Sequence, residues 1–159
     1  NKLISRGYDK NILPKIIADG GMKEYADVIK AIALGADYVM LGTILNKCIE
    51  SEGDNYIFNI KVPKRFARKL YRLGLPITKY FRGMSTKEAQ TAMGKSKLKT
   101  SEGVVRYRKV EYDLKKWVSN FDHYLRNQMS YCNASVIDDF KGKVEYIKIT
   151  SASYDRFNK

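Results

Sequence analysis

The chain has little cysteine, almost no histidine, a deficit of acids and no long apolar run, and each shortage narrows what it can be. Cys48 and Cys132 stand far apart, and His123 is the single histidine in 159 residues. Such a set cannot close a zinc site without carboxylate help. Both cysteines are expected to be small buried or half-buried side chains, kept reduced in a cytoplasm. No apolar stretch approaches the roughly 18 residues that cross a bilayer, and no signal peptide opens the chain. The first residue is Asn1 rather than Met, and the residues after it carry no domain-start pattern, so the chain is expected to be a piece of a larger domain.

Acids number 17 against 30 bases, a net charge of +13, which attracts anions without choosing among nucleotide, nucleic acid and acidic membrane. The excess is densest over Lys61–Arg72, where Lys64, Arg65, Arg68, Lys69 and Arg72 share one side of an expected helix. A solvated face is the plain reading, and a phosphate- or RNA-contacting surface is the other. With 44% hydrophobic and 30% charged residues the chain suits one globular domain with a real core.

Lys15–Ala18 reads as a short strand that ends in Asp19-Gly20-Gly21. Tyr25, Val28, Ile29, Ile32 and Ala33 follow at helical spacing, and Gly35 is placed to stop that helix. Asp37–Leu41 reads as a second buried strand ending at Gly42-Thr43. A strand, helix and strand this close together predict a βαβ unit with parallel strands. Beyond Glu50 the pattern loosens. The basic stretch forms a helix with Phe66, Leu70 and Leu73 inward, residues 86–93 form a short helix, and residues 94–100 read as a loop. Leu114, Trp117, Val118, Phe121, Leu125 and Met129 make an apolar helical stripe capped by Asp113. Ser135–Asp138 resembles a helix start, and Val144–Ile149 a strand.

Two strands that end in glycine where a helix should begin suggest phosphate chemistry. Glycine lets the backbone approach oxygens, and helix-terminal N–H groups face the dianion. Gly20-Gly21 and Gly42-Thr43 would form adjacent cradles, or simple tight turns. Asp19 would repel phosphate, yet suits a sugar's vicinal hydroxyls.

The string Ile16–Gly21, followed by Ala36–Gly42, resembles the seventh and eighth strands of the IMP dehydrogenase/GMP reductase barrel. Glu50-Ser51, Tyr80–Ser85, Ser101-Glu-Gly103 and Met129–Ala134 follow in the family's order, over most of residues 11–150. The resemblance implies the C-terminal part of an α/β TIM (β/α)8 barrel, with flap and C-terminal helix. Its parts would be the last two βα units at 13–50, an insertion at 54–79, the flap at 83–112 and a C-terminal segment at 113–159. It implies that Asp19 holds the ribose, and that Gly20, Gly21, Gly42 and Thr43 hold the 5′-phosphate of GMP or IMP. Gly83, Met84 and Ser85 would pass under the base, and Ser101, Glu102 and Gly103 would read its edge, with Glu102 catalytic. Met84, Lys99, Asn127, Gln128, Met129 and Ser130 fall where the nicotinamide dinucleotide is met, and Lys99 also adjoins the substrate. No metal is implied, and the family suggests a homotetramer away from any membrane.

Seventeen residues separate Met84 from Glu102, with no Arg-Tyr pair among them. Dehydrogenases of the family carry such a pair on a longer flap, to activate water. The short flap therefore resembles the reductase, implying NADPH-dependent conversion of GMP to IMP and ammonia; NAD-dependent oxidation of IMP to XMP is the alternative. Three departures stand out. Lys99 occupies the usual place of an arginine, whose bidentate contact lysine cannot reproduce. The stretch Asp54–Lys79 exceeds the family's hairpin. The family's catalytic cysteine lies upstream of Lys15, before Asn1, so neither Cys48 nor Cys132 is expected to be the nucleophile. A non-catalytic basic module that binds nucleotide or RNA is the reading from another class.

Overall fold

The computed structural model describes residues 6, 7, 9, 13–82, 86–94 and 105–157, arranged in two compact units. Gly83, Met84, Ser85, Lys99, Ser101, Glu102, Gly103 and most of the 94–100 loop lie outside the described residues.

The first unit contains Ala26–Met40 and the chain from Leu125, with the segment ending at Asp19. Here β1 (Ile17–Asp19) and β2 (Tyr38–Met40) pair in parallel, in the register Ile17 to Tyr38, Ala18 to Val39 and Asp19 to Met40. Between them α1 (Tyr25–Ala33) buries Val28 and Ile29, as the apolar spacing predicts. Gly35 ends the helix at φ 110°: its N–H donates to the Ile32 carbonyl, and the Ala36 N–H donates to Ala31. This left-handed closure is the one for which glycine is selected. Asp37 then fixes the strands. Its Oδ2 accepts the Ile16 N–H at 2.9 Å and its Oδ1 accepts from Lys141 Nζ at 2.7 Å. Lys141 holds the Asp37 carboxyl below its ordinary range, with help from the Ile16 N–H.

Several expectations for this unit change. Ile16, Ile17, Tyr38 and Met40 are more than half exposed rather than buried, because the sheet they belong to has two strands among the described residues. Cys132 is exposed. The short helix α5 (Ile137–Phe140) follows Val136 at its N-cap, with no side-chain cap, so Ser135 stands one residue too early to serve. Val144–Ile149 is irregular, since β-branched content makes no strand without a partner to pair with. Helix α6 (Ser151–Phe157) follows it, and Thr150 Oγ1 accepts the Ser153 N–H.

The second unit holds Gly20–Tyr25 and Leu41–Tyr124. Its frame is an antiparallel sheet of β3 (Asn55–Ile57), β4 (Ile60–Val62), β5 (Thr78–Arg82) and β6 (Val105–Lys109), in the order β4-β3-β5-β6. A two-residue turn joins β3 to β4, with Phe58 and Asn59 at φ 48° and 66°. Two successive positive φ values match the right-handed twist of a hairpin. The chain then crosses from β4 to β5 through α2 (Lys64–Arg72), which buries Ala67 against Ile49, Ile57, Ile77 and Val110. Leu70 and Tyr71 pack on that cluster, whereas Phe66 and Leu73, expected inward, are 58% and 76% exposed. The helix begins directly after Pro63 and turns Ala67, Leu70 and Tyr71 to the cluster. Phe66 is about 100° round the axis from Ala67.

Thr86 caps α3 (Lys87–Ala92) by accepting the Ala89 N–H. Asp113 caps α4 (Leu114–Tyr131), accepting the Lys116 N–H at 2.8 Å. Trp117 is buried and stacks on Phe121 and Tyr25, at ring separations of 5.4 and 5.5 Å. The stripe is narrower than its spacing predicts, since Leu114 and Val118 are exposed.

Gly53 lies at φ 116°, and a Cβ there would overlap the Tyr80 carbonyl oxygen. Backbone cannot yield as a side-chain tip can. Gly53→Ala should therefore cost more than about 1 kcal/mol of stability, read from the midpoint of urea unfolding. An unchanged midpoint would mean that the turn rearranges freely.

Candidate functional site

The parallel register puts the ends of β1 and β2 side by side, so that Asp19 is opposite Met40 and a glycine turn leaves each strand at the same end. Gly20 and Gly21 both sit at φ 78°, a conformation that costs any other residue strain. A Cβ on Gly20, Gly21 or Gly42 would meet no heavy atom within 4 Å, so open space adjoins all three. That room is what an approaching phosphate requires. Gly20, Gly21, Gly42 and Thr43 belong to one compact unit. Past Gly42, the chain winds through a 3₁₀ turn at Leu45–Lys47, and the Asn46 N–H donates to the Gly42 carbonyl. Asn46 Nδ2 is buried without a partner among the described residues, a spare donor in the same turn. The Asp19 carboxylate is exposed and makes no hydrogen bond or ion pair among the described residues, leaving it open to donors.

Asn127, Gln128 and Ser130 are exposed on the last turns of α4, with Met129 half-buried. Amide and hydroxyl groups suit the carboxamide and ribose hydroxyls of a nicotinamide dinucleotide.

Behind the second glycine turn is a polar knot that sequence reasoning missed. Lys79 is 1% exposed. Its Nζ donates to the carbonyls of Ile49 at 2.9 Å and Cys48 at 3.3 Å, to Ser51 Oγ at 3.0 Å, and to the Ser51 carbonyl. Burial brings the ammonium down to about 8. The Tyr112 hydroxyl donates to the Ile44 carbonyl at 2.6 Å, and the Ile49 N–H to Tyr112 O at 3.0 Å. Together these hold Ile44–Ser51, the segment that follows Gly42-Thr43. The available signal was a lysine at an inward position: Ile77, just before β5, and Lys79 within it are both buried, two residues apart.

Cys48, 2% exposed in this knot, has its thiol pushed up to about 11, by burial first and then by Glu50. A thiol so far from ionising is no nucleophile near neutral pH. Among the described residues no three His, Cys, Asp or Glu side chains gather as a metal site would need, and no helix is long and apolar enough to cross a membrane.

Parallel strands joined by a helix, each followed by a glycine turn at its C-terminal end, are consistent with part of an α/β barrel. A family profile described as the IMP dehydrogenase / GMP reductase domain matches residues 5–156, and the chain belongs to that family. It is similar to proteins named inosine-5′-monophosphate dehydrogenase. The Chlorobaculum parvum protein is 34% identical over 139 residues, covering 86% of this chain and 27% of its own length. That of Thermoplasma acidophilum is 35% identical over 137 residues, covering 86% and 26%. That of Borreliella burgdorferi is 32% identical over 139 residues, covering 87% and 33%. The chain thus spans about a quarter to a third of the curated relatives it matches.

Two outcomes are expected of the knot. Lys79→Met would leave buried carbonyls without a donor and should cost about 2–3 kcal/mol, measured by chemical denaturation. A thiol reagent applied near neutral pH should label Cys132 in the native protein and Cys48 only after unfolding, by mass spectrometry. Equal labelling of the two would contradict the burial of Cys48.

Proposed function

We propose that the protein of which these residues form part is a purine nucleoside monophosphate oxidoreductase that uses a nicotinamide dinucleotide and acts on IMP as substrate or product. The observation that carries this is the pair of glycine turns at one end of the parallel strands. In this reading Gly20, Gly21, Gly42 and Thr43 hold the 5′-phosphate by close backbone approach, and Asp19 accepts the ribose hydroxyls. Gly83, Met84 and Ser85 run under the base. Ser101, Glu102 and Gly103 read its edge, where a carboxylate matches ring N–H and amino donors. Asn127, Gln128, Met129 and Ser130, with Met84 and Lys99, meet the dinucleotide, whose nicotinamide exchanges hydride with C2 of the purine when bound. The nucleophilic cysteine is not Cys48 or Cys132.

The names of the relatives favour the dehydrogenase direction, IMP to XMP with NAD. One observation favours the opposite branch, GMP and NADPH to IMP and ammonia: no Arg-Tyr pair stands between Met84 and Glu102 to activate water. A homotetramer is the assembly that the family suggests.

The full-length protein, assayed with IMP plus NAD and separately with GMP plus NADPH, tests both the class and the branch. Turnover in either assay supports the class. NADH formation from IMP selects the dehydrogenase, and NADPH loss with ammonia release selects the reductase. Activity in neither would sink the proposal. Gly21→Asp should raise the nucleotide's KM by at least about tenfold, since a charge and a side chain enter the cradle. Glu102→Gln should lower kcat by at least about tenfold.

A further inference from the structure

The basic stretch of the insertion is the motif that the nucleotide site leaves unused. On α2, Arg68, Tyr71 and Arg72 share one flank at i, i+3 and i+4. They line a cavity of about 330 Å³ together with Ile49, Glu50, Asp113 and Lys115, all within the second unit. The two carboxylates there already have work: Glu50 Oε2 accepts the Leu114 N–H at 3.0 Å, and Asp113 Oδ1 accepts the Lys116 N–H at 2.8 Å. Both cap the start of α4. The cations are uncommitted. Arg68, Arg72 and Lys115 make no hydrogen bond or ion pair among the described residues.

Two guanidinium groups one helical turn apart, faced by an ammonium from another helix, form a cluster of planar donors suited to phosphate oxygens. Ile49 supplies an apolar surface and Tyr71 an aromatic one, so the cavity has room for more than an inorganic ion. Each capping carboxylate keeps a second oxygen able to accept a donor. An anion alone would be opposed by these carboxylates, whereas an ester with hydroxyl or amino groups would satisfy both signs of charge.

We propose that this cavity is a second ligand site, for a phosphate monoester whose small organic part carries hydrogen-bond donors. Its phosphate lies between Arg68, Arg72 and Lys115, and its donors face Glu50 and Asp113. The site uses none of the residues given to the purine nucleotide, so its standing is independent of that assignment.

Calorimetric titration of the full-length protein with ribose 5-phosphate, and separately with inorganic phosphate, provides the test. The ester should bind more tightly than inorganic phosphate. Affinity should fall by at least about tenfold in the Arg68→Ala/Arg72→Ala pair, and stay within about twofold in Arg65→Ala/Lys69→Ala, which removes equal charge from the same helix. Lys115→Ala, on a different element, should weaken binding as well, which guards against a folding defect confined to α2. These titrations are made in the Gly21→Asp background, which closes the strand-end turns to a ribose phosphate, and the ester should still bind there. Equal loss in both arginine-containing pairs would mean diffuse attraction, and an ester that binds the parent but not Gly21→Asp would sit in the strand-end turns alone. Either outcome, equal affinity for inorganic phosphate, or no binding overturns the proposal.

Discussion

The placement of both glycine turns depends on two short strands running the same way. A parallel pair needs a crossover, and its hydrogen bonds fix which ends lie together. With Ile17 beside Tyr38 and Asp19 beside Met40, the exits of β1 and β2 coincide, so two glycine turns serve one end of the sheet. The pairing is only three residues long, and Asp37 reinforces it from below. One carboxylate takes the Ile16 N–H, draws in Lys141, and so ties the strand to the C-terminal segment. Nearby, the Gly142 N–H donates to the Ala33 carbonyl at 2.8 Å, where two glycines let the backbones pass closely.

What was legible in the sequence was local. The helical spacing from Tyr25 to Ala33, the stop at Gly35 and the glycines after each strand are short-range signals, each with a physical cause within a few residues. The caps at Thr86 and Asp113 belong to the same class. The antiparallel sheet was not legible. β3 and β4 have three residues each and carry little alternation, and β5 pairs with strands far along the chain on either side. Val144–Ile149 shows the converse error, strand-forming residues with nothing to pair against. In α2 the content was right and the face wrong: Ala67, Leu70 and Tyr71 meet the core cluster, and the larger apolar residues Phe66 and Leu73 do not.

The glycine turns of the candidate site were visible as a pattern, but the knot behind them was not. Lys79 is held by backbone carbonyls of Cys48, Ile49 and Ser51, and a carbonyl has no letter in a sequence. A buried cation with neutral acceptors also leaves no complementary acid to search for. The same difficulty hides the cavity beside α2, whose walls come from three segments separated along the chain, Ile49-Glu50, Arg68–Arg72 and Asp113–Lys115.

The route of the chain from β4 to β5 has a consequence for how this region can vary. In the sheet β3 lies between these two strands, so the connection passes over it without entering the hydrogen-bonded ladder. Closing a longer connection adds only about 0.6 kcal/mol for each doubling of its length. Here the added length is folded into a helix that covers the sheet's apolar face, and this burial offsets the closure. The crossover is thus a splice point: residues can be gained or lost there while every pairing of the sheet keeps its partner.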